Sequence, residues 1–354
     1  MKKIYTYLLA LLAVVSVSCE KTGIDSSTEV DLGPNSGFIR FSTKVATKAP
    51  ILTDLKGNHF GVLGYEYSYS TNWETARALE TPTVFYNQNV NCDSDGVCTY
   101  DINNDPVDGN QLKPWVLASR YAFFAYYPQM TTTNGITISG EDMTNTPTVN
   151  YVLPLSDNPV LPEKLCDLMT AYSVDETVGG GTVGLTFQHK LFCIDVLAQN
   201  FNNAPESISE LTITIDNLKY QSITLPMKND EGTTVVQGKI AENNDENTSN
   251  DKQIQFRLIG NGDTPVTVPA NSSVVSMSEG ALANRKIMLI PQNEGIKGSI
   301  TVSGEEEAYP FSFPNEMKDG RKYNLVINFT GSTIVIATAE VGAWESKDVE
   351  HEFE

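Results

Sequence analysis

The chain of 354 residues is poor in the groups on which catalysis, metal binding and nucleic-acid recognition are built. Its three histidines, His59, His189 and His351, lie far apart and have no H-E-x-x-H or C-x-x-C companion, so the convergent ligands of a zinc site are missing. No serine occupies a G-x-S-x-G elbow, which leaves a nucleophile without its base. Lysine and arginine number 24 against 44 aspartates and glutamates, giving a formal net charge of −20. The basic residues are scattered and not interleaved with aromatics, so nucleic acid is excluded as a partner. No apolar run reaches the roughly 20 residues of a membrane-crossing helix. No repeat of roughly 20 to 50 residues marks a solenoid or propeller. The reading is therefore of a chain that is not an enzyme and carries neither cofactor nor metal.

The N-terminus sets the compartment. Met1-Lys2-Lys3 is a positive start, and Ile4 to Val15 is an apolar run of about a dozen residues, the pattern of a secretion signal. The run ends in Ser16-Val17-Ser18-Cys19, which resembles a relaxed lipobox cut before a cysteine that is then lipidated. Residues 1–18 are read as a lipoprotein signal peptide and Cys19 as the lipid attachment site; the alternative is an ordinary signal with an incidental cysteine. From Glu20 to Asn35 the composition turns to Lys, Asp, Ser, Thr, Gly and Pro, too polar to order itself by burial, so residues 19–36 read as a flexible tether.

Beyond the tether the periodicity is that of strands. In Phe38-Ile39-Arg40-Phe41-Ser42-Thr43-Lys44-Val45, the residues Ile39, Phe41, Thr43 and Val45 share one face, as a half-buried strand requires. Similar runs recur at 60–69, 83–86, 121–127, 183–198, 211–215, 254–259, 286–290, 299–302, 323–329 and 333–339, separated by Gly, Pro, Asn and Asp turn clusters. An all-β fold of two sandwich domains in tandem follows. The division is placed at Gly179-Gly180-Gly181, with domains at 37–178 and 182–354 and residues 179–181 as linker.

Several segments invite a chemical reading and have a simpler one beside it. Gly179 to Gly184 matches G-x-G-x-x-G, yet a strand follows where a phosphate site needs a helix, so a hinge is the better account. Asp93, Asp95, Asp101, Asn103, Asn104, Asp105 and Asp108 crowd one stretch but lack EF-hand spacing, which favours a solvated turn over calcium. Cys92 and Cys98 flank a turn-like stretch, and in an oxidising compartment either a small disulfide loop or two free thiols is expected. Cys166 and Cys193 read as small buried hydrophobes. The aromatic run Tyr121, Phe123, Phe124, Tyr126 and Tyr127 reads as strand packing.

An ordered set of segments resembles the Bacteroidales fimbrillin family of surface pilus subunits: Phe38-Ile39-Arg40-Phe41-Ser42-Thr43 leading to Ala46-Thr47-Lys48-Ala49, Tyr121 to Pro128, Asp167-Leu168-Met169-Thr170-Ala171, Leu185 to Leu191, Met288 to Gln292, Gly320 to Tyr323 and Val341 to Trp344. The resemblance implies transthyretin-like sandwiches and a structural subunit of adhesive fimbriae on the outer membrane, with other fimbrial subunits as partners and a host or bacterial surface ligand as a further one. It also implies assembly by strand exchange, in which a protease removes the first strand and a neighbour's strand fills the groove. Carried over to this chain, the removable strand is about Gly37 to Ala46, with Ile39, Phe41, Thr43 and Val45 inward, and cleavage falls at Lys48-Ala49. The family's shaft subunits are usually cut after arginine, and here the position is Lys48; a cut at Arg40 would split the strand. Either a lysine-accepting protease acts, or the strand is kept and the protein serves as a tip, an anchor or a monomeric lipoprotein that binds a glycan or host protein through its loops. The donor strand is left open, with Thr333 to Ala339 as one candidate.

Overall fold

A computed structural model describes residues 37–45, 55–77, 83–102, 112–140, 146–178, 181–228, 235–240, 253–260, 262–277, 285–303 and 307–343. The signal peptide, the tether, Cys19, Lys48, Ala49, His351 and the acidic tail lie outside these residues. The first half contains β1 (Arg40–Val45), β2 (His59–Ser68), β3 (Thr83–Cys92), β4 (Cys98–Thr99), β5 (Ser119–Tyr127), β6 (Ile136–Ser139), β7 (Thr148–Val152), β8 (Met169–Glu176) and β9 (Thr182–His189). Seven of these close into a barrel in the order β1-β4-β3-β2-β5-β8-β9. A single helical turn, α1 (Trp73–Ala76), is capped by the Asn72 side chain, which accepts from the Thr75 amide at 3.0 Å.

Alternation along β2 and β5 explains why their sequences are apolar almost without a break. Phe60 and Val62 point into the barrel beside Tyr121, Phe123 and Ala125, whereas Leu63, Tyr65, Ala122, Phe124 and Tyr126 face the other way into a second core. A strand buried on both faces has no polar side to show. The cover on the outer face is a four-stranded sheet in the order β14-β13-β7-β6, where β13 (Tyr220–Pro226) and β14 (Val236–Lys239) come from the second half of the chain. Five register pairs join β13 to β7, from Ser222↔Val152 to Pro226↔Thr148.

The remaining strands are β10 (Phe192–Asn200), β11 (Glu206–Ile208), β12 (Leu211–Ile215), β15 (Ile254–Ile259), β16 (Val266–Val268), β17 (Val275–Ser276), β18 (Ile287–Leu289), β19 (Lys297–Val302), β20 (Tyr309–Ser312), β21 (Arg321–Thr330) and β22 (Thr333–Ala343). They build a sheet in the order β17-β10-β21-β22, with β18 also on β10, a sheet in the order β15-β12-β19-β20, and the pair β11-β16. Ile213, Phe256 and Ile300 of the one sheet, and Ile194, Leu325 and Ile327 of the other, belong to the same buried cluster as Leu63 and Phe124 of the barrel wall. Residues from Gly37 onward accordingly make one compact unit.

Two expectations on domain organisation need correction. The run 183–198 is not one strand: it breaks at Lys190-Leu191 into β9 and β10, and β9 belongs to the barrel, where it pairs with β1 and β8. The strands on either side of the stretch 179–181, β8 and β9, are therefore neighbours in one barrel; Gly181 has φ +70°, and Gly179 and Gly180 lie outside the described residues. The physical reason lies in β9 itself, whose Val183, Leu185 and Phe187 are buried in the barrel core.

Candidate functional site

The first strand has two unequal neighbours. Along β9 it runs parallel through six consecutive pairs, from Arg40↔Thr182 to Val45↔Phe187. On its other side the described residues supply only Phe41↔Cys98 of β4 and the bridge Phe38↔Pro114. The Ile39 amide donates to the Lys113 carbonyl and the Trp115 amide to the Gly37 carbonyl, both at 2.8 Å.

Burial along β1 follows its alternation. Ile39, Phe41 and Val45 are 0%, 3% and 5% exposed, Thr43 is half-buried, and Ser42 and Lys44 face solvent. The Phe41 ring sits in an aromatic socket, with ring centroids of Phe123, Tyr100 and Phe85 at 5.3, 5.7 and 6.2 Å. Offset and edge-on rings at such separations contribute beyond the area they bury. The Tyr100 hydroxyl accepts from the Lys113 amide at 3.2 Å and donates to the Ile39 carbonyl at 2.8 Å, so one side chain packs and fastens the strand. Burial raises the Tyr100 hydroxyl far above its ordinary pKa and keeps it a donor.

Cys92 and Cys98 are joined by a disulfide that closes the turn between β3 and β4. Within this turn the Asp93 carboxylate accepts from the amides of Asp95 and Val97 at 2.9 and 2.8 Å, which caps the loop. Asn103, Asn104, Asp105 and Asp108 lie outside the described residues. Among the described residues no group of three or more metal-ligating side chains gathers. Cys193 is buried and Cys166 half-buried, and burial pushes the Cys166 thiol up to about 12. His59 is exposed, while His189 is buried with its Nδ1 at 2.7 Å from an Asp167 carboxylate oxygen.

The candidate donor run forms the outer strand of its sheet. β22 pairs with β21 from Thr330↔Thr333 to Arg321↔Ala343, Ile334 and Ile336 pack against the core, and Val335 is 53% exposed. The aromatic run of β5 is fully structural, divided between two cores. Sequence reasoning missed the socket: Phe85, Tyr100, Trp115 and Phe123 come from four separate segments, and only the alternation of Cys98 with Tyr100 hinted that Tyr100 turns inward.

A closed β barrel continued by further sheets places the chain in a class of multi-sheet β proteins whose fold is also seen in solved structures. A protein proposed to act in cell adhesion from Bacteroides ovatus shares the fold with a TM-score of 0.52 at 13% identity, over 88% of this chain and 99% of that one. Another from Bacteroides uniformis gives 0.50 at 15% identity, over 88% and 100%. Within that class the fimbrillin-like family model matches residues 48–344, and the chain belongs to this family of structural, non-catalytic proteins. The fimbrium subunit Fim1C of Phocaeicola vulgatus is 28% identical over 155 residues; the match spans 42% of this chain and 39% of that relative.

Proposed function

We propose that this chain is a structural subunit of adhesive surface fimbriae, exported as a lipoprotein through Cys19 and assembled when a protease frees β1 and a neighbour's strand takes its place. The observation that carries the reading is the asymmetry of β1: a six-pair ladder on β9, a thin seam on β4 among the described residues, and a greasy face sunk in an aromatic socket. Burial of Ile39, Phe41 and Val45 stabilises the barrel by about 1.5–3 kcal/mol each. Their sum is comparable with the roughly 5–15 kcal/mol that holds a whole domain folded. A cut at Lys48 would therefore not empty the groove by itself. It would make β1 exchangeable for a strand of the same apolar alternation, which completes the ladder and refills the socket. The test is mass spectrometry of the mature N-terminus together with gel analysis of the protease-treated protein. Loss of the segment through Lys48 and ladders that survive mild heating in SDS are expected; an intact first strand on a protein that stays monomeric would sink the reading.

A further inference from the structure

The hairpin of β8 and β9 is only half closed. Its register runs through Met169↔His189 and Thr170↔Gln188 and then stops, although both strands continue toward their connection. At this point the barrel's outer surface carries a cavity of about 270 Å³, lined among others by Thr170, Tyr172, Thr186, Gln188, Lys190 and Met227. Lys190 is 5% exposed. Its ammonium donates to one neutral acceptor, the Gln188 side-chain oxygen at 3.2 Å, and no carboxylate of the described residues pairs with it. Asp319 lies on the surface beyond ion-pair reach, and burial pulls the lysine pKa down.

An ammonium withdrawn from water with a single neutral partner is an incomplete ion pair, and two of its three donors are left for a guest. The mouth of the cavity supplies the rest of a recognition surface. Tyr172 is 42% exposed, with the Lys228 ammonium, already paired with the Glu74 carboxylate, 6.0 Å from its ring centroid, and Thr170, Thr186 and Gln188 contribute hydroxyls and an amide. An exposed ring for the flat face of a sugar, short polar groups for its hydroxyls and one buried cation together select a small ring that bears a carboxylate. We propose that this cavity binds an acidic monosaccharide unit, with Lys190 holding its carboxylate and Tyr172 stacking on its ring. Thr186 and Gln188 stand on the outer face of the barrel, opposite the buried Val183, Leu185 and Phe187, and Thr186 lies in register with Lys44 of β1.

The test is calorimetric titration of the full-length protein with N-acetylneuraminic acid and with galacturonic acid, against galactose and acetate. Both acids should bind at least about tenfold more tightly than galactose or acetate. Lys190→Met, which keeps the aliphatic stem and removes the charge, should weaken the acids about tenfold or more and leave the melting temperature equal or higher. Tyr172→Ala on the exposed rim should also weaken them without affecting folding. Equal affinity for acetate, acid binding unchanged in Lys190→Met, or no heat from either acid at about 10 mM would each overturn the proposal.

Discussion

Two walls of the same barrel are built to different specifications. The β2–β5 wall pairs over eight consecutive residues, buries both faces and is pinned from outside by β7 and β13, so the second half of the chain depends on it. The β1 wall buries one face and, among the described residues, leans mainly on β9, with a single pair to β4. The contrast teaches that a closed barrel need not be uniformly committed. One arc is continuous with the rest of the molecule, and the other is held chiefly by the β9 ladder.

The largest expected effect is on the committed wall. Phe124 packs tilted against Trp73 at 5.0 Å and edge-on against Tyr65 at 6.0 Å, and Phe124→Ala should cost about 3–5 kcal/mol in urea unfolding, equally before and after processing. Phe41→Ala should cost about 3 kcal/mol in the unprocessed chain and nothing once another strand occupies the groove. An equal loss in both states would erase the distinction between the walls. Next comes the disulfide, which anchors the β4 edge at the single pair Phe41↔Cys98. Replacing Cys92 and Cys98 by serine should cost about 2 kcal/mol and speed release of β1 after cleavage, read by denaturation and by gel.

The smallest effect belongs to a site remote from both walls. Arg285 makes paired hydrogen bonds to Asp263 at 2.7 and 2.9 Å, which hold the carboxyl at about 2, below its ordinary range. A depressed carboxylate pKa contributes stability above the unfolded value near about 4, and that contribution drains away as pH falls toward 2. The pair is partly solvated, so about 1 kcal/mol is expected, abolished in Asp263→Asn and visible in a pH series of melting temperatures. The affinity of β1 for its groove should not follow that titration.

Strand existence was legible because period-two alternation survives wherever one face is wet. Phe38 to Val45 is the clearest instance, since Ser42 and Lys44 face water between the buried Phe41 and Val45. Where both faces are dry, as in Tyr121 to Tyr127, composition signalled a strand but not which side met which core. The division of the halves misled for a local reason: Val183, Leu185, Phe187, Leu191 and Cys193 stay in phase across the break between β9 and β10, where no Gly or Pro stands, whereas three glycines elsewhere advertise a break. The socket of Phe41 and the cavity of Lys190 were illegible because each gathers residues distant in sequence. Met227, for example, stands 37 positions beyond Lys190 and lines the same cavity.

The parallel ladder between β1 and β9 has a mechanical corollary. Its hydrogen bonds run across the strands, so a pull along the strand direction loads all six pairs in shear, whereas a sideways pull would open them one at a time like a zipper. A thread made by lodging one molecule's segment in that place and tugging lengthwise would share tension over the whole joint and would part abruptly, at a force set by ladder length and not by the weakest rung.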